Sequence, residues 1–203
     1  MEVKDLALSP KEDVENVLCE DVTVEEAPEM IKLGEKMIEA CAKWGGIGLA
    51  APQVGIKKKM FIWTVGEDLN GRNFQIVFNP KYFVIGKKQM MLEGCLSYAN
   101  SHFLIERYKR INAYYYSFFG GKFVKIVKPL LGLKAVIFQH ECDHVDGQTI
   151  AMKGEKLDEE KNKAFIDSLK SDIPSEKKEI PKEGTGAGGS AIYSFTPNLG
   201  DSK

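Results

Sequence analysis

The chain has 203 residues, 28 Lys and Arg against 29 Asp and Glu, and a formal net charge of −1. That length suits one catalytic domain with a full core, and the balanced charge leaves no basic footprint for nucleic acid. No apolar run approaches a membrane span, and the acidic, charged amino terminus has neither the form of a secretion signal nor that of a transit peptide.

In chain order, Pro28 to Trp44 reads as an amphipathic helix, with Pro near its start, Gly45 just past its end, and an apolar stripe of Met30, Leu33, Met37, Cys41 and Trp44. Gly46-Ile47-Gly48-Leu49-Ala50-Ala51-Pro52-Gln53 superficially fits a dinucleotide fingerprint. However, a helical stripe precedes it where a strand is required, and Pro52 obstructs the helix that should follow. Small residues in such a run suggest backbone packed tightly against a ligand or another segment, with the Gln53 amide beside it. The lysines of Lys57-Lys58-Lys59 read as a solvated lead into a strand. Strand-like runs follow at Met60 to Val65, Gln75 to Phe78 and Arg110 to Phe118, and Gly120-Gly121 suggests a hairpin into Lys122 to Val127. Leu131 to His144 and Leu157 to Leu169 read as helices, the latter packing through Leu157, Ala164, Phe165 and Leu169.

The densest chemistry is in His140-Glu141-Cys142-Asp143-His144, two of the chain's three histidines four residues apart. On a helix, residues at that spacing share a face with roughly 5–6 Å between Cβ atoms, so one divalent cation fits under both rings. Leu133, Val136 and Ile137 lie on the same stripe and carry the imidazoles into the interior. Glu141 is rotated by about 100° from His140, beside the cation, where it can hold and deprotonate a water. Cys142 projects to the other side and reads as a small core thiol, as does Cys41. A third ligand is needed, and Cys95 in Glu93-Gly94-Cys95-Leu96-Ser97 is the best candidate. Gly94 permits close backbone approach, and a thiolate with two imidazoles leaves one tetrahedral position open, as catalytic sites do. Cys/His/His suits several first-row ions.

Taken together, the segments Gly46 to Gln53, Glu93 to Ser97 and Gln139 to His144 resemble the three signature motifs of the peptide deformylase family, in order, within a likeness covering roughly residues 13 to 170. The resemblance implies an α+β fold, mixed or antiparallel β-sheets packed around a central HExxH metal-binding helix, with an N-terminal helix and a C-terminal helix. It implies a metal-dependent amide hydrolase that removes the formyl group from the initiator methionine of nascent polypeptides, releasing formate. By similarity, Cys95, His140 and His144 bind one divalent metal, commonly Fe2+, with Zn2+, Ni2+ or Co2+ as substitutes. Glu141 takes the proton from water and passes it to the leaving amine, and the Gln53 side chain and Leu96 backbone amide are the oxyanion donors.

A methionine side chain would fit a wall of Ile47, Leu133, Val136 and Ile137. By family analogy, backbone at Gly48 and Gly94 pairs with the extended peptide as an added strand. Arg107 matches a common family position and, with Glu93 and Asp143, is expected to form a charge network that orients the ligands; a surface salt bridge is the competing reading. Tyr98 and Ala99 replace the family's usual apolar residue and proline, so the bordering loop is expected to take a different path. His102 stands where the family often has Arg and reads as an exposed loop residue.

N-formyl-methionyl nascent peptides are the implied partner. Relatives can also dock a last helix on the ribosome, but here its near-balanced charge argues for a weak contact. Four cysteines, one needed as a thiolate, fit a reducing compartment. The cytoplasm is the simple choice, although an organellar chain lacking its transit peptide would look the same. The domain is expected to span residues 1–171. Residues 172–203, with a Lys/Glu run and the Gly-rich stretch Gly184 to Gly189, read as a flexible tail whose Ile192-Tyr193-Ser194-Phe195 is a docking segment or nothing. Two other functions fit the residues alone: an HExxH metallopeptidase that cleaves internal amides, and a noncatalytic, metal-stabilised peptide-binding module.

Overall fold

The computed structural model describes residues 6–65, 73–164 and 192–193. Helix α1 (Ala27–Lys43) begins one turn after Thr23 and Glu26 exchange side-chain to backbone hydrogen bonds, a reciprocal cap, with Pro28 in the first turn. It ends where Gly45 takes φ 72°, which lets the Gly46 N–H reach back to the Cys41 carbonyl at 2.8 Å. The expected stripe is the buried face: Met30, Leu33, Met37 and Cys41 pack with Leu49, Met60, Ile62 and Phe78.

Strands β1 (Gly48–Ala50), β2 (Met60–Thr64), β3 (Phe74–Gly94), β4 (His102–Phe119) and β5 (Lys122–Leu131) form an antiparallel sheet in that spatial order. The sheet also takes in β6 (Glu155–Lys156), paired with β4 at Phe103 and Leu104, and β7 (Ile192–Tyr193), paired with β3 at Leu92 and Glu93. Gly120 and Gly121 both adopt positive φ in the expected β4–β5 hairpin. The expected strand at Gln75 to Phe78 is only the first part of β3. Lys81 to Met91 alternates poorly because the strand carries register shifts at Phe78/Lys81 and Ile85/Lys88, where bulges break the period of two.

Helix α2 (Gly132–Val145) packs against β1, β2, β4 and β5. Its centre is Phe138, fully buried and edge-on to Phe61 at 5.2 Å and Trp63 at 5.6 Å. Every residue from Ala135 to Val145 is buried, so the helix is enclosed all round and does not present the single apolar stripe read from its sequence. A short helix, α3 (Ile150–Lys153), follows. Residues 159–164 are helical, matching the start of the expected last helix; its anchors Phe165 and Leu169 lie outside the described residues. The fold is α+β, antiparallel sheet with few helices, as the resemblance implied. Among the described residues no helix is long and apolar enough to cross a membrane.

Candidate metal centre

Two elements converge on one point. β3 ends at Gly94 and delivers Cys95, and α2 delivers His140 and His144 from successive turns, with ring centroids 4.9 Å apart. The Cys95 Sγ lies 3.2 Å from His144 Nε2, and one donor atom from each of Cys95, His140 and His144 falls within 4.8 Å of the others. All three residues are buried. A buried thiol and two buried imidazoles aimed at a common point form the donor set of a first-row divalent cation, and three protein ligands leave a tetrahedral position for chemistry. Cys142 is buried and stands outside this cluster, its thiol pushed well up by burial and by Asp143, as a core thiol should be.

The surrounding hydrogen bonds fix the His140 ring. Glu93 accepts from His140 Nδ1 at 2.9 Å, which leaves Nε2 of that ring for a cation. Glu93 in turn accepts two bonds from Arg107, at 2.7 and 2.9 Å, and the third branch of the guanidinium donates to Asp143 at 2.5 Å. Asp143 also accepts from Lys153 at 2.7 Å. Arg107 is 1% exposed and Glu93 fully buried, so this network is interior; the surface salt bridge considered for Arg107 is not what the fold builds. Burial alone would raise the Glu93 carboxyl, but the Arg107 charge and the bonds from Arg107 and His140 outweigh it and hold it at about 2. Burial, with the charges of His140 and Arg107, pushes His144 well below its ordinary value, which keeps it in the neutral, ligating form.

Glu141 sits one helical step from His140 and is pushed up to about 7, mainly by burial. Its Oε2 is buried and has no hydrogen-bond partner among the described residues. A carboxylate oxygen left so is costly unless something binds there in the working protein. The other oxygen, Oε1, faces Gly48, where an added Cβ would collide with it. Only glycine lets strand β1 run this close to the helix, which explains the small residues around Gly46 to Ala51; a Cβ at Gly46 would likewise meet Cys41 Sγ at 2.7 Å and Leu96 at 3.0 Å. After β1 the chain enters a 3-10 turn, Ala51–Val54, with Pro52 near its start. Gln53 Oε1 accepts from the Ala50 N–H at 2.9 Å, turning its Nε2 toward Cys95 Sγ at 3.4 Å and Ser97 Oγ at 3.0 Å. Leu96, 6% exposed, follows Cys95 directly.

Of the expected methionine wall, Ile47 and Leu133 are half-buried, whereas Val136 and Ile137 have no exposed surface and stand behind them in the core. Gly94 is buried at the end of β3. His102 departs from the expected exposed loop position. It opens strand β4 and is 9% exposed, with Nδ1 2.6 Å from Asn162 Oδ1, so it ties the strand to helical residues 159–164 and is no exposed loop residue. The loop after Cys95 is pinned by Tyr98, whose hydroxyl meets Thr149 Oγ1 at 2.9 Å and donates to Glu15.

Sequence reasoning assigned no role to Gln139. Its amide accepts from the Tyr108 N–H at 3.0 Å and donates to the Tyr108 carbonyl at 2.9 Å, a strand-like clasp between α2 and β4. An amide side chain inside a helix enclosed on every face is a signal of such backbone pairing. Lys153 was also unassigned, because nothing local ties it to Asp143 ten residues earlier.

A Cys/His/His cluster with a buried glutamate beside it, on the inward helix of an antiparallel α+β fold, defines the class: a metal-dependent hydrolase. A model of the polypeptide deformylase family matches residues 8–161, and the chain belongs to that family. It is 33% identical over 130 residues to peptide deformylase from Carboxydothermus hydrogenoformans, 64% of this chain and 80% of the relative. The peptide deformylase of Nautilia profundicola is 32% identical over 150 residues, covering 72% of this chain and 83% of its own length. The crystal structure of peptide deformylase from Thermotoga maritima superposes with a TM-score of 0.65 and 32% identity, over 74% of this chain and 98% of that one.

Proposed function

We infer that this protein removes the formyl group from the amino-terminal methionine of nascent polypeptides, yielding formate and a free amine. The observation that carries the reading is the Cys95/His140/His144 cluster with the buried, unpartnered Glu141 oxygen beside it, in a chain of the deformylase family.

Cys95, His140 and His144 would hold the cation, which supplies Lewis acidity: it makes a water nucleophilic near neutral pH and polarises the formyl carbonyl. Ferrous iron is the native ion on this reading, with Zn2+, Ni2+ and Co2+ as substitutes. Glu141 accepts the proton of the attacking water and returns it to the departing amine. Burial raises its affinity for protons, which suits a group that must hold the proton before passing it to the amine. The Gln53 Nε2 and the Leu96 N–H donate to the oxygen that gains charge as the formyl carbon becomes tetrahedral. The orientation of Gln53 by the Ala50 N–H supports this, because the donor is fixed before substrate arrives. Glu93, Arg107 and Asp143 hold His140 and α2 in place.

Ile47 and Leu133, backed by Val136 and Ile137, receive the methionine side chain, and the backbone of Gly48 and Gly94 pairs with the peptide. Residues 1–171 form the catalytic unit, residues 172–203 are a tail, and the cytoplasm is the working compartment. Any ribosome contact through the last helix is weak. Metal analysis of anaerobically purified protein tests the ion: one equivalent of iron per chain, lost in Cys95→Ala, is expected. One equivalent of zinc and no iron would overturn iron as the native ion.

A further inference from the structure

Strand β3 has two edges. One is covered by β4; the other pairs with β2 between Phe74 and Phe78 and, further on, among the described residues, with β7 at Leu92 and Glu93. That second contact is placed immediately before Gly94 and the ligand Cys95, and β7 also lies against α2, the helix that carries both histidines. Ile192 stands opposite Glu93 and Tyr193 opposite Leu92, so the segment is antiparallel to β3 and runs away from Cys95.

A formylated peptide has the same geometry to satisfy. Its amino end must reach the metal cluster, so its chain can only lead outward, and along this edge of β3 an outward course is an antiparallel one. Strand addition gives affinity through main-chain hydrogen bonds, which any extended sequence can supply. We propose that the β3 edge at Leu92 and Glu93 is the rail for the later residues of a long substrate, and that Ile192–Tyr193 of the same chain occupies it and competes in cis. The proposal rests on the deformylase reading for its substrate, though the pairing itself does not.

A tethered segment acts at an effective concentration on the order of 1 mM, and a two-residue pairing is weak, so occupancy near one half is the natural scale. Releasing the segment should then lower KM about twofold for substrates long enough to reach Leu92. Substrates that end short of it should be indifferent.

The test is the full-length double variant Ile192→Pro/Tyr193→Pro, which removes both backbone donors of β7 and substitutes no residue of the site. Against a formyl-heptapeptide, KM is expected to fall about twofold or more with kcat unchanged, while both constants for formyl-Met-Ala stay as in the wild type. A heptapeptide KM equal to that of the wild type overturns the proposal. Amide exchange gives a reading independent of turnover. Successive amides of a strand face opposite edges, so one of Leu92 and Glu93 faces β7. Faster exchange of that amide in the variant supports the pairing, and unchanged exchange overturns it. Should the wild type release no formate from either peptide, the deformylase reading fails separately, and exchange still decides whether β7 holds this edge.

Discussion

Glu141 and Gly48 are best understood as a pair. Glycine at 48 lets β1 approach the Glu141 carboxylate, so Gly48→Ala must displace either the strand or the carboxylate. Misplacing a catalytic group by about 1 Å can cost about a hundredfold, and a loss of kcat on that scale is expected, with thermal stability little changed. Arg107→Met should act on stability instead. It leaves the buried Glu93 carboxylate with its bond to His140 alone and Asp143 with Lys153 alone, and breaking a buried pair costs about 3–5 kcal/mol, measurable as a fall in unfolding free energy in urea. The sign of the pH dependence follows from Glu93. Its folded value of about 2 lies below the ordinary 4.5, so its contribution is complete above 4.5 and is lost as pH falls from there toward 2. An acid titration followed by near-ultraviolet circular dichroism should show Glu93→Gln less sensitive than wild type across that window; equal sensitivity would remove Glu93 as the cause. At this scale the Cys95/His140/His144 donor cluster was legible because His140 and His144 share a local spacing and Cys95 follows a telling glycine. His102 was misread because its partner, Asn162, is sixty residues away and leaves no local trace.

The elements tell a similar story with different limits. Helix α1 announced itself through an amphipathic period and two terminal signals, Pro28 and Gly45, and the structure places it within a residue of the expected span, Pro28 to Trp44, at each end. Helix α2 was found by its motif and its apolar neighbours, although its burial on all sides erases the periodicity that normally marks a helix. Bulges concealed most of β3 by shifting which residues face the core, and β1 is too short to leave a pattern. The Gln139 clasp joins the metal helix to β4, and Gln139→Leu would leave the Tyr108 N–H and carbonyl unpaired. A destabilisation of about 1–3 kcal/mol is expected. Weaker metal retention should accompany it, since α2 carries both His140 and His144 of the donor cluster. Unaltered stability would show that water replaces the clasp without cost.

For the molecule as a whole, the sheet and the inward helix bring Cys95 to His140 and His144 across 45 residues or more of chain, a contact that composition and periodicity do not encode. Only the joint presence of three motifs in order made the assembly readable, and the family match over residues 8–161 bears it out. A cation that binds the folded cluster and not the unfolded chain must stabilise the fold by linkage, by about 2.7 kcal/mol at a hundredfold excess over Kd. Chelation should therefore lower Tm in wild type and leave Cys95→Ala unaffected.

The central claim is that this cluster and Glu141 hydrolyse a formyl amide. It is tested most directly by formate release from formyl-Met-Ala-Ser, using anaerobically prepared protein loaded with ferrous iron, beside Glu141→Gln at equal metal content. Release by the wild type, with a loss of about a hundredfold or more in the variant, is the expected result. No release by wild type shown to carry one metal per chain, or equal release by both proteins, would contradict the account.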